Sequence, residues 1–232
     1  MTDETSRDPE RIREMFGGIA RRYDLLNRLL SLGLDRRWRK AAAREACLAS
    51  PARVLDLCSG TGDLALALVR APGPERLVVG CDFSRPMLER AARKLDGRAT
   101  VVLGDALRLP FADGAFDAIT VAFGVRNLHD MPAGFHEMRR VLAPGGRLVV
   151  LEFSRPEGPV LSRAYGLYLR TVVPRLGDRA SGREGPYRYL ARTIAGFPEP
   201  DRIAGLLRDA GFGGVGWHTL SGGIVCLHTA LR

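Results

Sequence analysis

From Arg53 onward the chain alternates short apolar runs with amphipathic ones, and this alternation restricts its fold more than any other feature. RVLDLC is followed by GDLALALVRA, RLVVGCDF by PMLERAARKL, then come TVVLGDA, AFDAITVAF with AGFHEMRRVL, and GRLVVLEF. The short runs predict buried strands, and the segments between them repeat apolar residues at helical spacing. Strand and helix in regular succession imply an α/β fold, a mostly parallel, doubly wound sheet with helices on both faces. The segments LAPGG (142–146) and FADGAFD (111–117) punctuate these units as turns.

Two helices are expected before the first strand. Over residues 9–48, Ile12, Met15, Phe16 and Ile19, then Tyr23, Leu26, Leu29 and Leu30, recur at helical spacing, with a break near Gly33 and a resumption around Trp38. After Pro156 the alternation lapses into short aromatic-rich helical pieces separated by glycines and prolines, the pattern of an insertion or lid. A helix over Glu199–Ala210 follows, then two strands, GVGWHTL and GIVCLHTAL, joined by Ser221-Gly222-Gly223. So short a connection pairs them antiparallel.

The stretch VLDLCSGTGDLALAL, from Val54 to Leu68, is a strand, a small-residue turn and a helix. Gly60-x-Gly62-x-x-Ala65 satisfies a loose dinucleotide fingerprint, in which a pyrophosphate sits on the helix N-terminus. Asp56 and Asp63 flank the turn, however, and their charge opposes a diphosphate. A cationic sulfonium with an ammonium group, as in S-adenosylmethionine, is favoured by the same charges. Asp82 ends the second strand, where a carboxylate accepts hydrogen bonds from ribose hydroxyls, and Asp105 ends the third, within reach of an exocyclic adenine amine. Each acid alone could be a helix cap or a solvated loop residue. Three of them at the ends of successive strands mark the crevice where doubly wound sheets bind ligands.

Charge and cysteine usage exclude other classes. Cys47, Cys58, Cys81 and Cys226 lack paired spacing, so neither a zinc site nor a disulfide framework is expected, and no metal. The net charge of +9 comes almost wholly from arginines spread along the chain, with Lys40 and Lys94 the sole lysines. A nucleic-acid partner would call for a basic face with interleaved aromatics; a positive surface is better matched to anionic lipid headgroups. No apolar run approaches the roughly 20 residues of a membrane span. The start, MTDETSRDPERIREMF, lacks the apolar core of a signal peptide, so a cytoplasmic protein is expected.

Several longer stretches are narrower than a glycine turn: FGGIARRYDLLNRLLSLGLDRRWR, LDLCSGTGD, GDALRLPFADGAFDAITVAFGVRNLHD, RVLAPGGRLVVLEFSRP, YRYLARTIAGFP and LSGGIVCLHTA. Through them the chain resembles, nearly end to end, the ubiquinone/menaquinone biosynthesis C-methyltransferase family of class I S-adenosylmethionine-dependent methyltransferases. The resemblance implies a single Rossmann-like methyltransferase domain over 1–232: N-terminal helices (1–50) as a cap, a cofactor-binding core (53–155), an insertion or lid (156–198), and a C-terminal helix with a strand pair (199–232). S-adenosylmethionine would be the methyl donor, with Asp56, Gly60, Thr61, Asp82, Phe83, Asp105 and Ala106 forming its site. The sequence departs from the family pattern at Cys58, where generic methyltransferases carry the first glycine of the turn, and at Ala122, where relatives often carry serine.

The reaction so implied is C-methylation of a polyprenylated quinol, demethylmenaquinol ahead of a ubiquinone precursor. A ring carbon attacks the sulfonium methyl once a neighbouring hydroxyl has lost its proton, so the enzyme must stabilise a phenolate-like oxygen and align two carbons. Arg126, permanently cationic, is the candidate for lowering the hydroxyl pKa, and Asn127 for orienting water or acceptor. Tyr23 could cover the site from the N-terminal helices or serve as a packing anchor. His228 is a further candidate base, more in keeping with a core histidine, with His129 and His218 behind it. Leu161, Tyr165, Leu167, Tyr168, Leu169, Val172, Val173, Tyr187 and Tyr189 supply apolar material for an isoprenoid channel, with a homodimer interface or ordinary packing under a loop as the alternatives. Peripheral, reversible contact with the inner face of a membrane is expected.

Overall fold

The computed structural model describes residues 9–47, 52–181 and 185–232. The polar start of the chain before Pro9, the expected last residue of the second helix at 48, and residues 182–184 of the insertion lie outside the described residues.

Among the described residues the strands are β1 (Arg53–Leu57), β2 (Leu77–Asp82), β3 (Thr100–Leu103), β4 (Phe116–Ala122), β5 (Leu142–Phe153), β6 (Gly213–Leu220) and β7 (Val225–Leu231). They form one sheet in the order β3-β2-β1-β4-β5-β7-β6. The pairs β1–β2, β2–β3, β1–β4 and β4–β5 are parallel, while β7 runs antiparallel to both β5 and β6. The chain builds outward from β1 through β2 to β3 and then crosses to the other side at β4. Where the strand order reverses, the loops leaving β1 and β4 part and open a crevice at the sheet's C-terminal edge.

Both faces of the sheet are covered, which is why its strands read as continuous apolar runs. On one face, Leu55, Leu57, Ile119, Val121, Leu148 and Val150 pack beneath Phe135 and Met138 of α5 (Met131–Val141) and Ile203 and Leu207 of α8 (Pro200–Asp209). On the other, Val54, Val78, Ala118, Val149 and Leu151 meet Trp38 and Ala42 of α2 (Leu34–Cys47), Leu68 of α3 (Asp63–Val69) and Leu95 of α4 (Arg85–Leu95). Successive strand residues go to opposite faces. Asp56 therefore joins Val54 on the α2 and α3 side.

Two sequence expectations change. LAPGG is an excursion inside β5 and not a turn ahead of it: Phe116 pairs with Leu142 but Ala118 with Arg147, so the residues between loop out of register. Gly145, at φ +73°, makes that loop, and Arg232 anchors it through reciprocal backbone bonds with Gly145 and Gly146, both 3.0 Å. The expected short helical pieces of the insertion are instead one long helix, α6 (Pro159–Ser181), running through Pro174, followed by α7 (Pro186–Ala195). Tertiary packing overrides the local breakers. Leu169 and Val173 of α6 are buried with Leu26 of α1 (Pro9–Leu30) and with Tyr187 and Ile194 of α7. Gly177 permits that approach, since a Cβ there would fall 2.1 Å from the Tyr187 ring.

Candidate active site

The chain leaves β1 at Cys58 (φ +55°) and β4 at Phe123 (φ +60°), two side-chain-bearing residues in the left-handed region. Such backbone is costly for non-glycine residues and concentrates at functional sites. The two turns also touch, because a Cβ on Gly124 would lie 2.4 Å from that of Cys58. Gly60, at φ +56°, faces the opposite way: a Cβ there would meet no protein atom within 4 Å. The space above it is open to a ligand.

That space belongs to a cavity of about 810 Å³. Gly60, Asp82, Phe83, Asp105 and Ala106 line it from the ends of β1, β2 and β3, and Asn127 from the turn after β4. Ile12, Phe16 and Tyr23 of α1 close it from above. Asp82, only 7% exposed, accepts from Gly60 N and Ser84 N, each at 2.8 Å, and so ties two loops together at the cavity wall. Burial pushes its pKa up against those backbone donors. Asp105 is exposed and accepts from Leu107 N at 3.0 Å, while the adjoining Ala106 is buried and apolar.

A recess of about 310 Å³ lies behind the glycine turn and holds Asp56, Thr61 and Asp63. Asp56 is 1% exposed, accepts from Ser59 Oγ at 2.9 Å and Thr120 Oγ1 at 3.1 Å, and is pushed by burial up to about 7. The Thr61 hydroxyl donates to Asp24 of α1 and accepts from Lys94 at 3.2 Å. Lys94 also pairs with Asp24 and Asp63, both at 2.6 Å. For Asp63, burial works upward, but Arg39 and Lys94 outweigh it and hold the pKa below its ordinary value. Asp56 and Thr61 thus line the recess, apart from the larger cavity that Gly60, Asp82, Phe83, Asp105 and Ala106 share.

A third space, of about 1240 Å³, lies among α1, α2, α6 and α7 and is walled largely by Trp38, Tyr165, Tyr168, Leu169, Val173 and Tyr187. Of the residues named for an apolar channel, Leu161 and Leu167 are exposed instead. Phe16, Tyr23 and Phe123 line both this space and the cavity over Gly60, so the two meet at those rings. Tyr23 stacks edge-on against Phe16 at 6.0 Å between centroids. Burial raises the Tyr23 pKa, with the positive charge of Arg126 pulling the other way.

Arg126 and Asn127 share one 3-10 turn, Val125–Asn127, yet serve different spaces: Arg126 lines the apolar one and Asn127 the acidic one. Arg126 is 3% exposed, donates through Nη1 to Glu152 Oε1 at 2.9 Å and to Phe123 O, and lies 5.4 Å from the Phe153 ring centroid. Asn127 Oδ1 accepts from the Tyr189 hydroxyl of α7 at 3.2 Å. His228 is sealed within β7, with Nε2 3.1 Å from Pro200 O, and burial lowers its pKa to about 4. It lines none of these spaces, and His218 is exposed on β6; His129 borders the acidic cavity.

Sequence reasoning missed Glu152, buried at the end of β5, as well as Phe16, Trp38 and Arg39. Glu152 stood inside RVLAPGGRLVVLEFSRP as a lone acid in an apolar strand, which was its available signal. Phe16 and Trp38 read as helix-packing residues and Arg39 had no reading of its own; only the closing of α1 and α2 over the sheet places them at the cavities. Among the described residues, no group of three or more His, Cys, Asp or Glu side chains could hold a metal ion, and no helix is long and apolar enough to cross a membrane.

The sequence profile of the ubiE/COQ5 methyltransferase family matches residues 4–232. A demethylmenaquinone methyltransferase of Deinococcus radiodurans is 51% identical over 205 residues, covering 87% of this chain and 84% of that one. One of Thermus thermophilus is 50% identical over 222 residues, covering 94% of this chain and all of its own length. Among solved structures, an S-adenosylmethionine-dependent methyltransferase of Thermotoga maritima superposes with a TM-score of 0.63 at 19% identity, over 94% of this chain and 99% of that one, a likeness of fold. An acidic cavity at the switch point of a Rossmann-like sheet, sharing three aromatic side chains with an apolar chamber, thus comes with a family match spanning nearly the whole chain: the protein belongs to the ubiE/COQ5 methyltransferase family and is an S-adenosylmethionine-dependent methyltransferase.

Proposed function

We propose that the enzyme methylates a ring carbon of demethylmenaquinol, with the methyl donor over Gly60 and the quinol in the apolar chamber. The observation that carries this reading is the meeting of an acid-lined cavity and an aromatic chamber at Phe16, Tyr23 and Phe123. Demethylmenaquinone methyltransferase is the name of the two relatives that are half identical to this chain. When bound, S-adenosylmethionine supplies an electrophilic methyl on a cationic sulfur. Asp82 accepts from the ribose hydroxyls, Asp105 from the adenine amine, and Phe83 and Ala106 pack on the apolar base. Asp56, once it ionises above about pH 7, adds negative charge behind the turn, and Thr61 holds the turn to α1 through Asp24.

In the chamber, Arg126 brings a permanent positive charge to a largely apolar wall, whose other arginine, Arg39, is paired with Asp35 at 2.7 Å, and low dielectric strengthens its pull on a nearby oxygen. It lowers the pKa of the quinol hydroxyl, whose proton passes to water, and stabilises the phenolate; the ring carbon then takes the methyl as the S–CH3 bond breaks to leave neutral S-adenosylhomocysteine, and loss of the ring C–H proton to water restores the aromatic quinol. Tyr23, kept protonated by burial, donates a hydrogen bond where the two spaces join. Asn127, held by Tyr189, orients the reacting edge or a water. Alignment of nucleophilic and methyl carbons at about 3–3.5 Å is the geometric requirement.

The isoprenoid tail lies along α6 and α7 and leaves past Leu32, which lines the chamber yet is 84% exposed. Leu25 and Leu29 are exposed on α1, at 67% and 52%, and Arg28, Arg36 and Arg37, close to them in the chain, are exposed as well, a combination matched to peripheral contact with an anionic membrane surface. Incubation of the purified protein with labelled donor and a panel of reduced quinones, followed by mass spectrometry, tests the reading. Methyl on the ring carbon of demethylmenaquinol supports it; transfer to a quinol oxygen, or no transfer to any quinol, refutes it. Arg126→Ala should reduce kcat by about 100-fold or more while donor affinity changes little.

A further inference from the structure

We infer that Glu152 is a positioning residue, fixing the Arg126 guanidinium from behind so that it faces the quinol, although Glu152 lines neither cavity. The inference rests on the proposed role of Arg126. Glu152 ends β5, one strand over from the turn that carries Arg126, and is 1% exposed. Three donors converge on its carboxylate: Arg126 Nη1 and Phe153 N on Oε1, both at 2.9 Å, and Arg126 N on Oε2 at 3.3 Å. One carboxylate therefore grips both ends of a single residue, its backbone and its head group. The Phe123 carbonyl takes a further bond from Nη1. With the Phe153 ring 5.4 Å away, the guanidinium is braced by protein on its Nη1 edge and across one face.

A stability role alone explains this arrangement poorly. A buried arginine–carboxylate pair rarely stabilises a fold more than apolar residues of the same size would. Nor is the pairing complete, for Arg126 Nε is buried with no hydrogen-bond partner. Glu152 spends its acceptors on one orientation of the arginine and leaves that N–H unmatched. Such an arrangement suits a cation that must point at an oxygen in an apolar chamber, because there a displaced guanidinium loses both distance and alignment.

The decisive experiment is a kinetic double-mutant cycle on the full chain with Glu152→Gln, Arg126→Ala and the double variant, read as kcat, quinol KM and donor Kd. The glutamine keeps the volume but turns an NH2 group toward one of the three donors. If Glu152 acts through Arg126, Glu152→Gln lowers kcat about 10- to 100-fold with donor Kd unchanged, and adding it to Arg126→Ala costs nothing further. Glu152→Asp, which keeps the charge on a shorter arm, should recover part of the lost kcat, and it decides the matter should the glutamine variant not fold. Loss of kcat and donor affinity together, an additive cycle, or an aspartate variant no better than glutamine would overturn the inference. An undiminished kcat in Arg126→Ala would instead refute the role of Arg126 itself, so the two failures are told apart.

Discussion

Asp56 sets up a direct conflict between stability and charge that can be measured. Its carboxyl is 1% exposed on β1 and is pushed by burial from an ordinary 3.8 to about 7. In the unfolded chain it ionises near pH 4, whereas in the fold it keeps its proton until near neutrality. Between those values the unfolded state binds fewer protons, so this group's contribution falls as pH rises through the window. Above the folded pKa both states are ionised, and the penalty is constant. A shift from 3.8 to about 7 converts, at about 1.4 kcal/mol per unit, to a penalty of about 4 kcal/mol at alkaline pH. Asp56→Asn removes the ionisation and keeps the shape; its oxygen accepts from one of the Ser59 and Thr120 hydroxyls that now donate to the carboxylate, and its NH2 donates to the other. The variant should match the parent near pH 4 and exceed it increasingly up to about pH 8, by as much as about 4 kcal/mol. Urea unfolding of both proteins across that range at fixed ionic strength gives the difference directly, and every other titrating group cancels. A difference that stays flat with pH, or a variant less stable than the parent at pH 8, would refute the reasoning. Donor affinity should move the opposite way, falling in the variant above neutral pH, where the parent carries a negative charge behind the donor's turn.

Asp82→Ala strands the Gly60 and Ser84 amides that the carboxylate now satisfies, and should raise donor Kd about 100-fold by calorimetry. Gly177→Ala drives a methyl group into the Tyr187 ring and pries α7 from α6; it should lower stability by about 1–3 kcal/mol and raise quinol KM, with donor Kd unchanged.

The strand and helix alternation after Arg53, the acids at the strand ends and the antiparallel final pair were all legible in the sequence, because each is encoded by residues close together in the chain. Period and turn chemistry determine such elements locally. The insertion misled for the same reason: Pro174 and Gly177 are breakers by local rule, and only the packing of α6 on α7 and α1 carries a continuous helix through them. The division of labour within the site was likewise beyond local reading. Arg126 and Asn127 are neighbours in sequence, yet the turn after β4 aims them into different spaces. Thr61 and Asp56 flank Gly60 in the chain but face the recess behind it, where α1 and Lys94 meet them. Glu152 became a partner of Arg126 when β5 was laid beside β4, 26 residues away. The sequence by itself determined which chemistry is present and at which edge of the sheet it collects; only the tertiary structure decided which groups face each other across that edge, since those distances are set by strand order and helix closure and not by proximity along the chain.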